Sequence, residues 1–103
     1  MIPKIRKDKQ YRITIEDVGV EEARTLEFEY QDREDLFKIV EGLKKGSGLE
    51  PENATKVAVA LRLLGPVMMK DRKHPLFINF MPHFKCFMQN LKSTVKKSIE
   101  SPL

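Results

Sequence analysis

The chain has 103 residues and a mass of 12.0 kDa, is 41% hydrophobic and 33% charged, and carries a net charge of +4 with a pI near 9.3. These figures predict one small domain that buries roughly 60–70% of its unfolded surface, and they exclude a disordered or fibrous chain. One cysteine excludes an internal disulfide and a cysteine metal cluster, while the mild positive balance permits an acidic partner without requiring one.

Residues 1–9 are charged and aperiodic, which predicts a flexible basic arm. Alternation then begins. Tyr11, Ile13 and Ile15 take one face, and Arg12, Thr14 and Glu16 take the other, the period of a half-buried strand. After a polar break at Asp17–Glu22, with Gly19 free to adopt positive φ, alternation resumes with Leu26, Phe28 and Tyr30 inward and Glu27 and Glu29 outward. Two such runs read as an antiparallel hairpin.

Asp32 is placed to cap a first helix, and Glu34 and Asp35 suit its positive end. Leu36, Ile39, Val40 and Leu43 form its apolar stripe, Lys44 and Lys45 favour its negative end, and Gly46 or Gly48 terminates it. Pro51 is a natural first residue for the next helix. There the stripe Ala54, Val57, Ala58, Leu61, Leu64 and Met68 is broadened by Val59, Ala60, Leu63 and Val67, which predicts a central helix contacted on several sides. Gly65-Pro66 predicts a kink or restart within it. A third helical region begins near Leu76, with Pro82 at the start of its main piece. Its stripe is Phe84, Phe87, Met88, Leu91 and Val95. The order β-β-α-α-α predicts an α+β domain over residues 10–97, with the helices packed on one face of the hairpin and a frayed tail over 98–103.

The N-terminus lacks the apolar run of a secretory signal. The longest nearly apolar stretch, Val57–Met69, is interrupted by Arg62 and falls short of the ~20 residues that a membrane span requires. A cytoplasmic protein with no membrane partner is expected, in which Cys86 stays reduced without a partner.

Few residues suggest chemistry. His74 and His83 are the only histidines, and with Cys86 and Asp71 they match no standard zinc spacing. Cys86 with His83 as base is a conceivable nucleophile, but a free cysteine in a phenylalanine-rich helix reads first as a small core residue, and His83 as a half-buried one. The acids Glu27, Glu29, Asp32, Glu34 and Asp35 read as a solvated strand face and a capped helix start, without calcium-loop spacing. No catalytic, metal or cofactor-binding residue is therefore expected.

Charge is more informative. Residues 1–12 carry five basic side chains and one acidic, residues 13–61 six and twelve, and residues 62–103 eight and two. The basic C-terminal half offers Lys70, Arg72, Lys73, His74, Lys85, Lys92 and Lys96 as a candidate surface site that could face phosphate. No aromatic platform or helix-turn-helix pattern accompanies them.

The strand YRITIE, the strand ending LEFEY, the segment DREDLFKIVEGLK and the run LRLLGPVMMKDRKHPLFINFMPHFKCFMQNLK, with RKHPLF at its centre, together resemble a family of small bacterial proteins known as domain of unknown function 3861. The resemblance covers about residues 10–95. It implies a small bacterial α+β protein and carries no activity, cofactor or catalytic residue with it. Pro66 departs from the family pattern, which has an acidic helix former there. The RKHPLF segment reads first as a connection between helices and second as a surface site. The function expected is a non-enzymatic protein-interaction module, with an unidentified protein as partner or a second copy in a homodimer. The alternatives are nucleic-acid binding by the basic half, and a small enzyme or ligand-binding protein using His74, His83 or Cys86.

Overall fold

The computed structural model describes residues 8–100, with side chains to Ser98. Two strands and three helices follow one another: β1 (Lys9–Glu16), β2 (Thr25–Asp32), α1 (Leu36–Gly46), α2 (Pro51–Lys70) and α3 (Met81–Glu100). This is the expected β-β-α-α-α order of an α+β protein. Strand β1 already includes Lys9, and α3 continues to Glu100. The rest of the expected arm, residues 1–7, and residues 101–103 of the expected tail lie outside the described residues. The contacts fall into two compact units, the hairpin as far as Asp35 and the helices from Leu36 onward.

The hairpin is antiparallel, in a register running from Lys9 opposite Asp32 to Glu16 opposite Thr25. Side chains alternate between faces along a strand, so Tyr11, Ile13 and Ile15 share a face with Tyr30, Phe28 and Leu26. The Tyr11 and Tyr30 rings lie 5.5 Å apart. On the other face the Arg12 guanidinium donates to Glu29 Oε2 at 2.9 Å, and the Thr14 hydroxyl donates to Glu27 Oε2 at 3.1 Å. Cross-strand pairs of these kinds contribute roughly 0.2–1 kcal/mol each.

The connection is closed by one residue pair. Asp17 donates its backbone N–H to the Arg24 carbonyl at 3.0 Å, and its carboxylate accepts from the Arg24 N–H at 3.1 Å and from Nε at 2.7 Å. Gly19, at φ 78°, supplies the left-handed residue of the turn. Hydrogen bonds from the Arg24 side chain and then its backbone hold the Asp17 carboxyl below the usual carboxylate range. A depressed native pKa contributes stability above the ordinary range, and that contribution is lost as pH falls through the depressed value. The Arg24 amide resonance is expected to titrate with a midpoint below that of an ordinary aspartate. In Asp17→Asn, the loop end of the hairpin should exchange its amides faster at neutral pH. An Arg24 midpoint at or above the ordinary value would contradict this.

Asp32 does not start a helix, contrary to expectation. It is the last residue of β2, and its carboxylate accepts the Glu34 N–H at 2.9 Å. That is an Asx-type turn, and α1 begins at Leu36. Lys44 and Lys45 occupy the last turn of α1 as expected. Beyond its end the Ser47 N–H donates to the Leu43 carbonyl at 2.9 Å, and Gly48 takes the left-handed conformation at φ 85°. Gly46 has a different role. A Cβ there would lie 3.1 Å from Val95 Cα, so its missing side chain lets α1 approach the backbone of α3.

Pro51 opens α2, and Ala54, Ala58 and Met68 are buried along it at helical spacing. Of the kink or restart expected at Gly65-Pro66, the restart does not occur: α2 runs unbroken from Pro51 to Lys70. Within a helix the ring of a proline crowds the carbonyl four residues back and also the Cβ and N–H of the residue before it. Gly65 has no Cβ to offer. The helix ends where the Asp71 N–H donates to the Val67 carbonyl at 3.1 Å.

Residues 71–80 form turns, including the stretch from Leu76 where helical turns are expected. His74, Phe77, Ile78, Phe80 and Met81 each donate a backbone N–H to a carbonyl three or four residues earlier. The helix α3 starts at Met81, one residue before Pro82. The core of the helical unit is Leu43, Ala54 and Ala58, packed with Ile39, Val40, Val57, Leu91 and Val95. Leu64 and Phe87, expected in the apolar stripes, are instead 43% and 45% exposed.

Candidate functional site

Five of the seven candidate residues gather where α2 passes to α3. Lys70 ends α2, and with Arg72, Lys73 and His74 it lines an open depression of about 440 Å³. Arg72 and Lys73 also line a second depression of about 430 Å³, with Ile78, Met81, Pro82 and Lys85. The two depressions share Arg72 and Lys73, so the connection brings the cations of α2 and the first turns of α3 to one surface. Lys92 is elsewhere. It borders, with Arg62, an apolar groove of about 220 Å³ lined by Ile39, Leu43, Ala58, Leu61, Met88, Leu91 and Val95. Lys96 is exposed one turn further along α3.

All seven side chains are exposed. In the helical unit Lys44 pairs with Glu41 and Lys56 with Glu52, and neither pair involves a candidate residue. The surface is therefore a set of solvated positive charges with a single acid, Asp71, among them. Such a surface attracts anions in a salt-dependent way.

His74 does local structural work. Its Nδ1 accepts the Leu76 N–H at 3.0 Å, and its ring lies 5.8 Å from that of Phe77. With Nδ1 occupied as an acceptor, the neutral ring carries its proton on Nε2. The RKHPLF segment thus folds back on its own histidine. Cys86 and His83 are both exposed, which corrects the expectation of a core cysteine and a half-buried histidine. Each lies on the outer side of α3, away from the stripe of Phe84, Leu91 and Val95. Neither lines the depression that holds His74. Among the described residues, no group of three or more His, Cys, Asp or Glu side chains is placed to hold a metal ion, and no helix is long and apolar enough to cross a membrane.

The apolar surface is the feature that periodicity conceals. On the hairpin, Ile15 is 54% exposed, Leu26 60% and Phe28 39%, and Val18 in the loop is 87% exposed. Alternation identifies the apolar face of a strand, but it does not report how much of that face is covered. The groove between the helices escapes sequence reading for the same reason. Its lining residues are stripe positions, and periodicity does not show where two stripes part.

Residues 9–93 match the family described as a domain of unknown function with a solved structure, DUF3861. The chain belongs to this family. A protein of unknown function from Pectobacterium atrosepticum, known from a crystal structure at 2.20 Å resolution, is 42% identical. The similarity covers 84% of this chain and 99% of that one, with a TM-score of 0.76. No curated protein matches the chain significantly. DUF3861 thus supplies the fold, and its description names no activity.

Proposed function

We propose that this chain is a non-enzymatic protein-interaction module that acts by strand addition at its hairpin, taking a β-strand of a partner protein onto an open edge. The observation that supports this reading most is the two-stranded sheet itself. Among the described residues no third strand pairs with β1 or β2, so each strand keeps an outer row of backbone donors and acceptors. Its apolar face also leaves Ile15, Leu26 and Phe28 substantially exposed. Isolated two-stranded sheets are marginal in water, and an open edge is a template for another strand.

The test is a tagged pull-down from the native host, with and without nuclease, using the wild type and a variant with both outer edges blocked by Thr14→Pro and Glu27→Pro. Protein retained by the wild type after nuclease and released by the edge-blocked variant is the expected result. Retention that ignores the edge variant, or retention of nucleic acid only, overturns the reading.

A second reading has one observation in its favour. Arg72, Lys73 and Lys85 converge on one depression, with Lys70 and His74 beside it. This favours a phosphate-bearing partner, nucleic acid first. Affinity for duplex or single-stranded probes that falls steeply with salt is its signature, and absence of binding at low salt ends it.

A further inference from the structure

The two edges of the hairpin are chemically different, and the difference selects a partner. The inference rests on the strand-addition reading above and names what is added. The Asp17 N–H to Arg24 carbonyl bond sets the phase of the ladder. In that phase the odd-numbered residues of β1 bond to β2. The backbone groups of Gln10, Arg12, Thr14 and Glu16 therefore face outward on β1, and those of Thr25, Glu27, Glu29 and Gln31 face outward on β2.

An edge can pair with its own copy across a two-fold axis only in registers that keep like faces together. For β2, the registers that use most of the strand centre on Phe28 or Glu29. The first sets Glu27 opposite Glu29 of the other copy, twice. The second sets Glu29 opposite Glu29. Like charges directly opposite are destabilising, so β2 is guarded against its own copy. The equivalent registers of β1 centre on Arg12 or Ile13. The Arg12 register opposes two guanidinium groups. In the Ile13 register, Ile13 meets Ile13, Tyr11 meets Ile15, Arg12 meets Thr14 and Gln10 meets Glu16, and Arg12 lies one step from both Glu16 and Arg12 of the other copy, each Arg12 being neutralised by its own Glu29 at 2.9 Å. Every apolar side chain then has an apolar partner, and no like charges are opposed.

We infer that the occupant of the open edge is a second copy of this chain, joined β1 to β1 in the register centred on Ile13, to give the continuous antiparallel order β2-β1-β1-β2. The edge of β1 is accessible: Lys9, Gln10, Arg12, Thr14 and Glu16 are all exposed. A pair of this kind is isologous and closes on itself.

Two measurements test it. Light scattering should give twice the 12.0 kDa chain mass for the wild type and a two-fold lower mass for Thr14→Arg. That substitution places the new guanidinium beside Glu27 within the hairpin, where it is tolerated, and opposite Arg12 of the other copy, where it is not. In a Cys86→Ser background, Ile13→Cys should form a disulfide-linked dimer with oxidised glutathione, while Phe28→Cys treated alike stays monomeric. Residue 13 is a non-hydrogen-bonded pair across this axis, where Cβ atoms approach most closely. A monomeric wild type, a Thr14→Arg protein that keeps the dimer mass, or cross-linking at residue 28 instead of 13 overturns the inference. A monomer that still releases a nuclease-resistant protein when both edges are blocked defeats only the choice of partner. A monomer whose captured protein ignores the blocked edges defeats strand addition as well.

Discussion

Met68→Ala is expected to lower the free energy of unfolding by about 2–5 kcal/mol. Met68 is completely buried, and among the described residues it is the largest side chain so placed. It lies on the α2 stripe begun by Ala54 and Ala58, whose small side chains have little volume to lose. Truncation removes the transfer free energy of the thioether arm and leaves a cavity that the surrounding structure fills only in part. The next residue is an internal control. Met69 is 51% exposed, so Met69→Ala should stay within about 0.5 kcal/mol of wild type. Urea titrations of the two variants would show it as a large drop in midpoint for residue 68 and almost none for residue 69. Equal midpoints would mean that Met68 is not closely packed.

Pro66→Ala should act in the opposite direction, raising stability by about 1–3 kcal/mol. The proline lacks the N–H that would donate to the Arg62 carbonyl, yet α2 continues through it. Its ring is exposed, so removing it opens no cavity. Against the gain stands the freedom that alanine returns to the unfolded chain, about 0.4–1 kcal/mol, which is the smaller term. The role assigned to Gly65 predicts a coupling. In the wild type, Gly65→Ala brings a Cβ against the proline ring and loses most of the benefit of alanine's helix propensity. With Pro66→Ala in place, the same change should recover about 1 kcal/mol, because a Cβ at residue 65 meets Phe84 Cζ at 4.0 Å, an ordinary contact. Thermal unfolding of the four proteins closes the cycle, and additive effects would show that Gly65 does not relieve the proline.

The elements were legible wherever periodicity was strong. The hairpin faces follow from strict alternation of Tyr11, Ile13 and Ile15 with Arg12, Thr14 and Glu16, and the register confirms both faces. The helix stripes predicted the buried Leu43, Ala54, Ala58 and Phe84. Boundaries were less legible, because one side chain supports two local structures. Asp32 is a good helix cap by type, but in the structure its carboxylate serves the residue two positions on while Asp32 still belongs to β2. At Gly65-Pro66 the helix does not restart for a related reason, since each residue alone disfavours a helix while glycine before proline removes part of the steric cost. At the candidate site, the sequence showed the cations but not their grouping. Arg72, Lys73 and Lys85 meet because the turns after Asp71 fold the chain back, whereas Lys92 and Lys96 share only a helix face with Lys85. Cys86 was misplaced because its phenylalanine neighbours along the chain point to other sides of α3.

Glu27 and Glu29 matter to more than the strength of one pairing. A hairpin with two receptive edges is a bifunctional monomer, and bifunctional monomers grow into chains of unlimited length. In the dimer proposed above, the two carboxylates on β2 would reduce its valence to one, so that growth would stop at the first addition. Charge neutralisation by Glu27→Gln with Glu29→Gln would restore the second valence, and a closed pair would become the repeating unit of a fibre.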